Sequence, residues 1–203
     1  MEEKAITEFY QMLEDKSIKE ANNNALKSIN AGIILKTKEI KYIDFFIKNA
    51  KDSLDTAKVL LDLSIDDKMK NSFGMPHFNG FLWVINSSYY SMFYMARALL
   101  ESTGVKIKSE ESIHFLVFNA LVYYFYSNGK LEKHFIEDFE NAQEESVQIL
   151  GKEKAKEIIT DYSSEKEKRA RFTYELGEIA MKNKAETSLN RARKFNEEIR
   201  KIL

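Results

Sequence analysis

Apolar positions along the chain recur at intervals of three and four, the spacing that lines one face of an α-helix. Residues 2–14 keep it with Ala5, Phe9, Met12 and Leu13. Residues 17–36 keep it with Ile18, Ala25 and Ile29, behind Ser17 as a cap. A longer stretch runs from Ile40 to Leu63, where Ile43, Phe46, Ile47, Ala50, Leu54, Ala57, Leu60 and Leu61 share one face. Asp66 to Gly80 breaks the pattern with the only proline, two glycines and three Asn or Ser residues, and reads as a loop.

Phe81 to Ser102 is the most apolar segment, hydrophobic on most sides, which suits the centre of a bundle. Thr103-Gly104 stops it. Ser109-Glu-Glu-Ser112 supplies capping residues for an aromatic helix from Ile113 to Tyr126, closed by Asn128-Gly129. Leu131 to Leu150 is a further helix ending at Gly151, and Lys152 to about Leu176 is another, charged along its solvent side. The last, Lys184 to Leu203, puts Ala185, Leu189, Ala192, Phe195, Ile199 and Leu203 on one face. The pattern predicts an all-α antiparallel bundle of about four to five core helices over residues 39–203, after an N-terminal helical extension over residues 1–38.

Composition narrows the chemistry. The chain has 203 residues, 44% of them hydrophobic, enough for one domain to hold a core without metal or disulfide. With no cysteine, disulfides, thiolate zinc sites, iron–sulfur clusters and Cys nucleophiles are excluded. One proline and seven glycines are too few for a Greek-key β-fold, and no Gly-rich phosphate loop is present. Thirty-one Lys and Arg against 32 Asp and Glu leave a net charge of −1, so no global field draws nucleic acid or a membrane. The N-terminus is acidic where a signal peptide would be basic. The longest apolar run, Phe78 to Leu100, is broken by Asn79, Asn86, Ser87, Ser88 and Arg97, as a core helix would be. The expectation is a cytoplasmic protein with no membrane partner.

Three features carry candidate chemistry. The run from Ser87 to Leu100 sets Tyr89 and Tyr90 beside small residues, and buried Tyr hydroxyls need partners. Plain packing is the simpler account of it. Lys166, Lys168, Arg169 and Arg171, continued by Lys182 and Lys184, cluster basic charge with Phe172 and Tyr174 interleaved, the composition of a nucleic-acid patch. Glu165, Glu167, Glu175 and Glu178 dilute it toward an ordinary solvated face. Glu111-Ser-Ile-His114 has the Glu-x-x-His spacing of di-iron bundles, but no second copy exists, so no metal or other cofactor is expected. His77 and His134 lack ligand partners.

The run Ser88-Tyr-Tyr-Ser-Met-Phe-Tyr-Met-Ala-Arg-Ala-Leu-Leu100 resembles the signature helix of HEPN domains, in particular small prokaryotic ones. Ser112-Ile-His114, Asn128-Gly-Lys-Leu131, Arg169-Ala-Arg-Phe-Thr-Tyr174 and the closing helix with Ala185, Ala192 and Phe195 follow in the family's order, over roughly residues 45–203. The resemblance implies a helical bundle, often a homodimer, acting on RNA as a toxin or defence ribonuclease, or paired with a nucleotidyltransferase. Nuclease members carry an Arg, four to six intervening residues, and then a His. Here Tyr174 stands where that His is expected after Arg169, and Leu176, Gly177 or Glu178 stand there after Arg171.

That departure has a chemical consequence. Metal-free RNA cleavage needs a group to take the proton of the ribose 2′-hydroxyl, and His suits it near neutral pH. Tyr, with a pKa around 10, is a poor base, while Arg still holds phosphate in a fork. The reading is therefore a HEPN-like bundle binding nucleotide or RNA, with weak or lost ribonuclease activity. Arg169, Tyr174 and His114 are the catalytic candidates, and Arg169, Arg171, Lys168 and Tyr90 the nucleotide- or RNA-binding ones. Tyr174 also matches the position that the family's partner nucleotidyltransferase modifies. The alternative is a non-catalytic dimerisation or adaptor module. Tyr123-Tyr-Phe-Tyr126, more aromatic than one bundle face needs, favours a symmetric dimer on either reading.

Overall fold

In a computed structural model of the chain, the backbone is described for residues 2–109, 112–159 and 167–203, and side chains for 16–109, 112–148 and 181–203. Helix makes up 77% of the chain, and the fold is an all-α bundle with a small two-stranded ribbon. In chain order the elements are α1 (Glu2–Asn30), β1 (Ile34–Lys36), α2 (Ile43–Ile65), α3 (Asp67–Ser72), α4 (Phe81–Ser102), β2 (Val105–Ile107), α5 (Ile113–Leu121), α6 (Lys133–Ile159) and α7 (Glu167–Ile202). A π turn over Val122–Tyr126 extends α5, with the Ser127 N–H donating to the Val122 carbonyl at 2.9 Å.

The apolar character of α4 places it at the centre, against α2, α5, α6 and α7. Val84, Met92, Met95, Ala96, Ala98 and Leu99 are fully buried there. Each large side chain so buried contributes roughly 1.5–3 kcal/mol. Polar links fix how the helices pack on it. Ser91 Oγ donates to the Ala50 carbonyl of α2 at 2.6 Å and accepts from Asn196 Nδ2 of α7 at 2.7 Å. Arg191 of α7 holds Asp138 (3.3 Å) and Glu145 (2.9 Å) of α6. The face read for the last helix is the buried one: Ala185, Leu189, Ala192, Phe195 and Ile199 all lie inside.

Several element boundaries differ from the sequence pattern. The first two helical stretches are one continuous helix, and it stops at Asn30 rather than reaching residue 36. Gly32, at φ 68°, ends it: its N–H donates to the Ile29 carbonyl (3.0 Å) and the Ile33 N–H to the Ser28 carbonyl (2.9 Å), a Schellman closure. The freed Ile34–Lys36 pairs antiparallel with Val105–Ile107, Ile34 opposite Ile107. Gly104 makes this possible, because a Cβ there would sit 2.0 Å from the Thr37 carbonyl oxygen. Ala21, Ala25 and Ile34 are buried, so residues 16–38 share in the protein core.

The loop read over residues 66–80 contains α3, capped by Asp66, whose carboxylate accepts from the Lys68 (2.8 Å) and Met69 (3.1 Å) N–H groups. Gly151 does not end a helix: α6 runs through it to Ile159, since one glycine costs a helix only about 1 kcal/mol. The helix read over Lys152 to Leu176 spans residues 160–166, which lie outside the described residues. Its first residues belong to α6 and its last, from Glu167, to α7. Among the described residues no helix is long and apolar enough to cross a membrane.

Candidate functional site

The polar groups with unusual surroundings gather where α4 meets the start of α5. Ser112, the residue before α5, adopts the left-handed conformation (φ 55°) and makes no side-chain cap. The capping role read for Ser112 is therefore absent, and Glu110 and Glu111 lie outside the described residues. One residue into the helix, His114 enters an aromatic cage from α4. Its ring centroid is 4.4 Å from Phe93, 5.5 Å from Tyr89 and 5.7 Å from Tyr90.

The Tyr89 hydroxyl lies 2.7 Å from His114 Nδ1. Burial, with Tyr90 beside it, raises the Tyr89 pKa well above the ordinary phenol value, so the hydroxyl keeps its proton. That proton needs an acceptor, and Nδ1 is the partner in place. Nδ1 then accepts, and the imidazole carries its own proton on Nε2. Burial, and secondarily the charge of Arg97, lowers the His114 pKa, which keeps the ring neutral at pH 7. In this tautomer the free ring nitrogen is a donor, so the imidazole can give a proton or a hydrogen bond rather than take one.

Arg97 stands near this cage on α4. Its guanidinium lies 4.6 Å from the Phe46 ring of α2 and 6.0 Å from Phe93, stacked as a cation on aromatic faces. Burial lowers its pKa somewhat, against Glu101 and Tyr94, which raise it, and it stays charged. Among the described residues it makes no ion pair and no side-chain hydrogen bond. Tyr90 and Tyr94, both half-buried, lie 6.2 Å apart along the same helix.

Of the residues nominated from sequence, Tyr90 and His114 come together. The backbone of Arg169, Arg171, Lys168 and Tyr174 lies in α7, but their side chains fall outside the described residues. His77 sits exposed in the loop after α3, and His134 is exposed, 3.3 Å from Glu132 and against Phe135. The residues that sequence reasoning passed over are Tyr89 as the His114 partner, Phe93 as the floor, and Arg97. A signal for Arg97 was present: Tyr90, Tyr94 and Arg97 follow each other at four and three, one stripe of α4.

The aromatic run thought to exceed one bundle's needs is taken up only in part within the chain. Phe125 is buried, Tyr123, Tyr124 and Tyr126 are half-buried, and α1 packs against the π turn that carries them. No family model matches the chain, and searches of curated proteins and of solved structures likewise find no match.

Proposed function

We propose that the protein is a HEPN-like helical bundle that binds nucleotide or RNA, its own ribonuclease activity weak or lost. In this reading it is one component of a two-gene, toxin–antitoxin-like system with a nucleotidyltransferase, and it works as a cytoplasmic homodimer. The observation that carries the reading is the cage itself: His114 held by Tyr89 at 2.7 Å, with Tyr90 beside it and a cation near (Arg97). An imidazole N–H donor, stackable Tyr rings and a guanidinium are what a nucleotide needs from a protein. The motif His that family nucleases place after their Arg is still replaced by Tyr174.

The test is to incubate the purified protein with mixed RNA in the absence of metal, beside Arg169→Ala and His114→Ala. Cleavage about a hundred- to ten-thousand-fold below an intact family nuclease is expected, the share that acid–base catalysis supplies. Vigorous cleavage lost in Arg169→Ala would overturn the inactive reading. A second reading, an adaptor module, draws on the exposed apolar side chains Phe45 (57%), Trp83 (52%) and Val147 (62%). RNA and nucleotide that leave the melting temperature unmoved, together with a stable dimer in light scattering, would favour it.

A further inference from the structure

We propose that Arg97 and His114 form a phosphoryl-binding pair, with Tyr90 and Tyr94 as the stacking surface for the base of a nucleotide. The choice of a nucleotide rests on the reading above; the phosphoryl site stands on its own observations. The first is how the chain treats its other enclosed charges. Glu101 is met by Lys106 and by the backbone N–H groups of Lys41 (2.9 Å) and Tyr42 (3.1 Å). Arg191 is met by Asp138 and Glu145. Arg97, half-buried, meets aromatic rings instead. A charge withdrawn from water is stable only when paired or otherwise compensated.

Stacking occupies the flat faces of a guanidinium and leaves the N–H groups along its edge unspent. The second observation is that His114 contributes a donor of the same kind. Tyr89 takes Nδ1, so the remaining Nε2 carries a proton to give. Both groups rest on the same ring: Phe93 lies 4.4 Å from the His114 ring and 6.0 Å from the Arg97 guanidinium. Glu101, already spent on Lys106, Lys41 and Tyr42, reaches Arg97 only through its charge. A pair of donors with a full positive charge and no bonded carboxylate calls for an anion with several acceptor oxygens. A phosphoryl group matches the guanidinium fork, and a carboxylate matches it less fully because it has fewer oxygens for the second donor.

The experiment is calorimetric titration of inorganic phosphate, AMP and adenosine into the full chain and into Arg97→Gln and Arg97→Lys. Phosphate and AMP are expected to bind, AMP more tightly, and Arg97→Gln to weaken both by about tenfold or more, the share of a charge-assisted bond. Arg97→Lys keeps the charge without the fork and should fall between. Adenosine binding as tightly as AMP would overturn the proposal, as would AMP affinity unchanged in Arg97→Gln; the nucleotide reading would survive the second result. Phosphate binding that depends on Arg97, with no binding of AMP or RNA, would support the pair and sink the nucleotide reading. No binding of phosphate or AMP at millimolar concentration would overturn both. Should Arg97→Gln fail to fold, the wild type still decides: phosphate must raise the His114 pKa, and an unmoved titration would refute the pair.

Discussion

Arg97 and Glu101 stand one turn apart on α4, and both carry charge into the protein, yet their surroundings are opposite. Glu101, 3% exposed, is saturated: Lys106 pairs with it, and the N–H groups of Lys41 and Tyr42 donate to it just ahead of α2. Its carboxylate caps from across the fold a helix start that has no side-chain cap of its own. Arg97 rests on aromatic faces; among the described residues no carboxylate ion-pairs with it, and Glu101 acts on it only through its charge. The difference separates a charge used to build the fold from a charge left with donors to offer. It also orders what substitutions should do.

The largest effect belongs to Glu101. Glu101→Ala strands the Lys106 ammonium and two backbone donors, and breaking such a buried pair costs about 3–5 kcal/mol, read as a drop in the urea midpoint at constant slope. The pH dependence sharpens the point. Burial raises the Glu101 pKa, but the bonds from Lys106, Lys41 and Tyr42 and the charge of Lys106 lower it further, so the folded value lies below the unfolded one. Stability from this group is complete above the unfolded value, near 4.5, and is lost as pH falls through the folded value. Glu101→Gln should remove that acid-side slope.

Next comes Ser91→Ala. It leaves Asn196 Nδ2 without its partner inside the α2–α4–α7 junction, where Asn196 Oδ1 already has none. An unsatisfied buried donor costs about 1–3 kcal/mol, measurable by thermal melting. Arg97→Gln should be milder for the fold, about 1 kcal/mol from lost stacking on Phe46, while removing phosphate affinity. A loss of stability as large as that of Glu101→Ala would erase the contrast between the two charges.

The smallest effect is that of His114. Its folded pKa is lowered from 6.5, so the neutral ring favours the folded state fully above that pH, and the contribution declines as pH falls below it. His114→Phe should flatten stability in this window and leave the Glu101 window unchanged. Equal slopes in wild type and His114→Phe would show that the cage does not hold the imidazole neutral.

Much of this contrast was hidden in the sequence, for definite reasons. α4 was readable to its ends because it is apolar on most sides and glycines flank it. The three-residue strands β1 and β2 are too short to show a period of two, and Ile34 reads equally well as the end of a helical stripe. Tyr90 and His114 were singled out through a motif resemblance, which names positions but not bonds. Arg97 was seen only as an interruption in an apolar run, because its ring partner Phe46 comes from α2. Glu101 gave no signal at all, since the donors that meet it, at Lys41 and Tyr42, are brought close by the fold alone.

The most direct test of the central claim is an NMR pH titration of the His114 ring, with and without saturating phosphate, in wild type and Arg97→Gln; the exposed His77 and His134 serve as internal references. The account predicts a His114 pKa below 6.5 in the free protein, raised by phosphate in the wild type and not in Arg97→Gln. A His114 curve that ignores phosphate, or a shift that persists in Arg97→Gln, would contradict it.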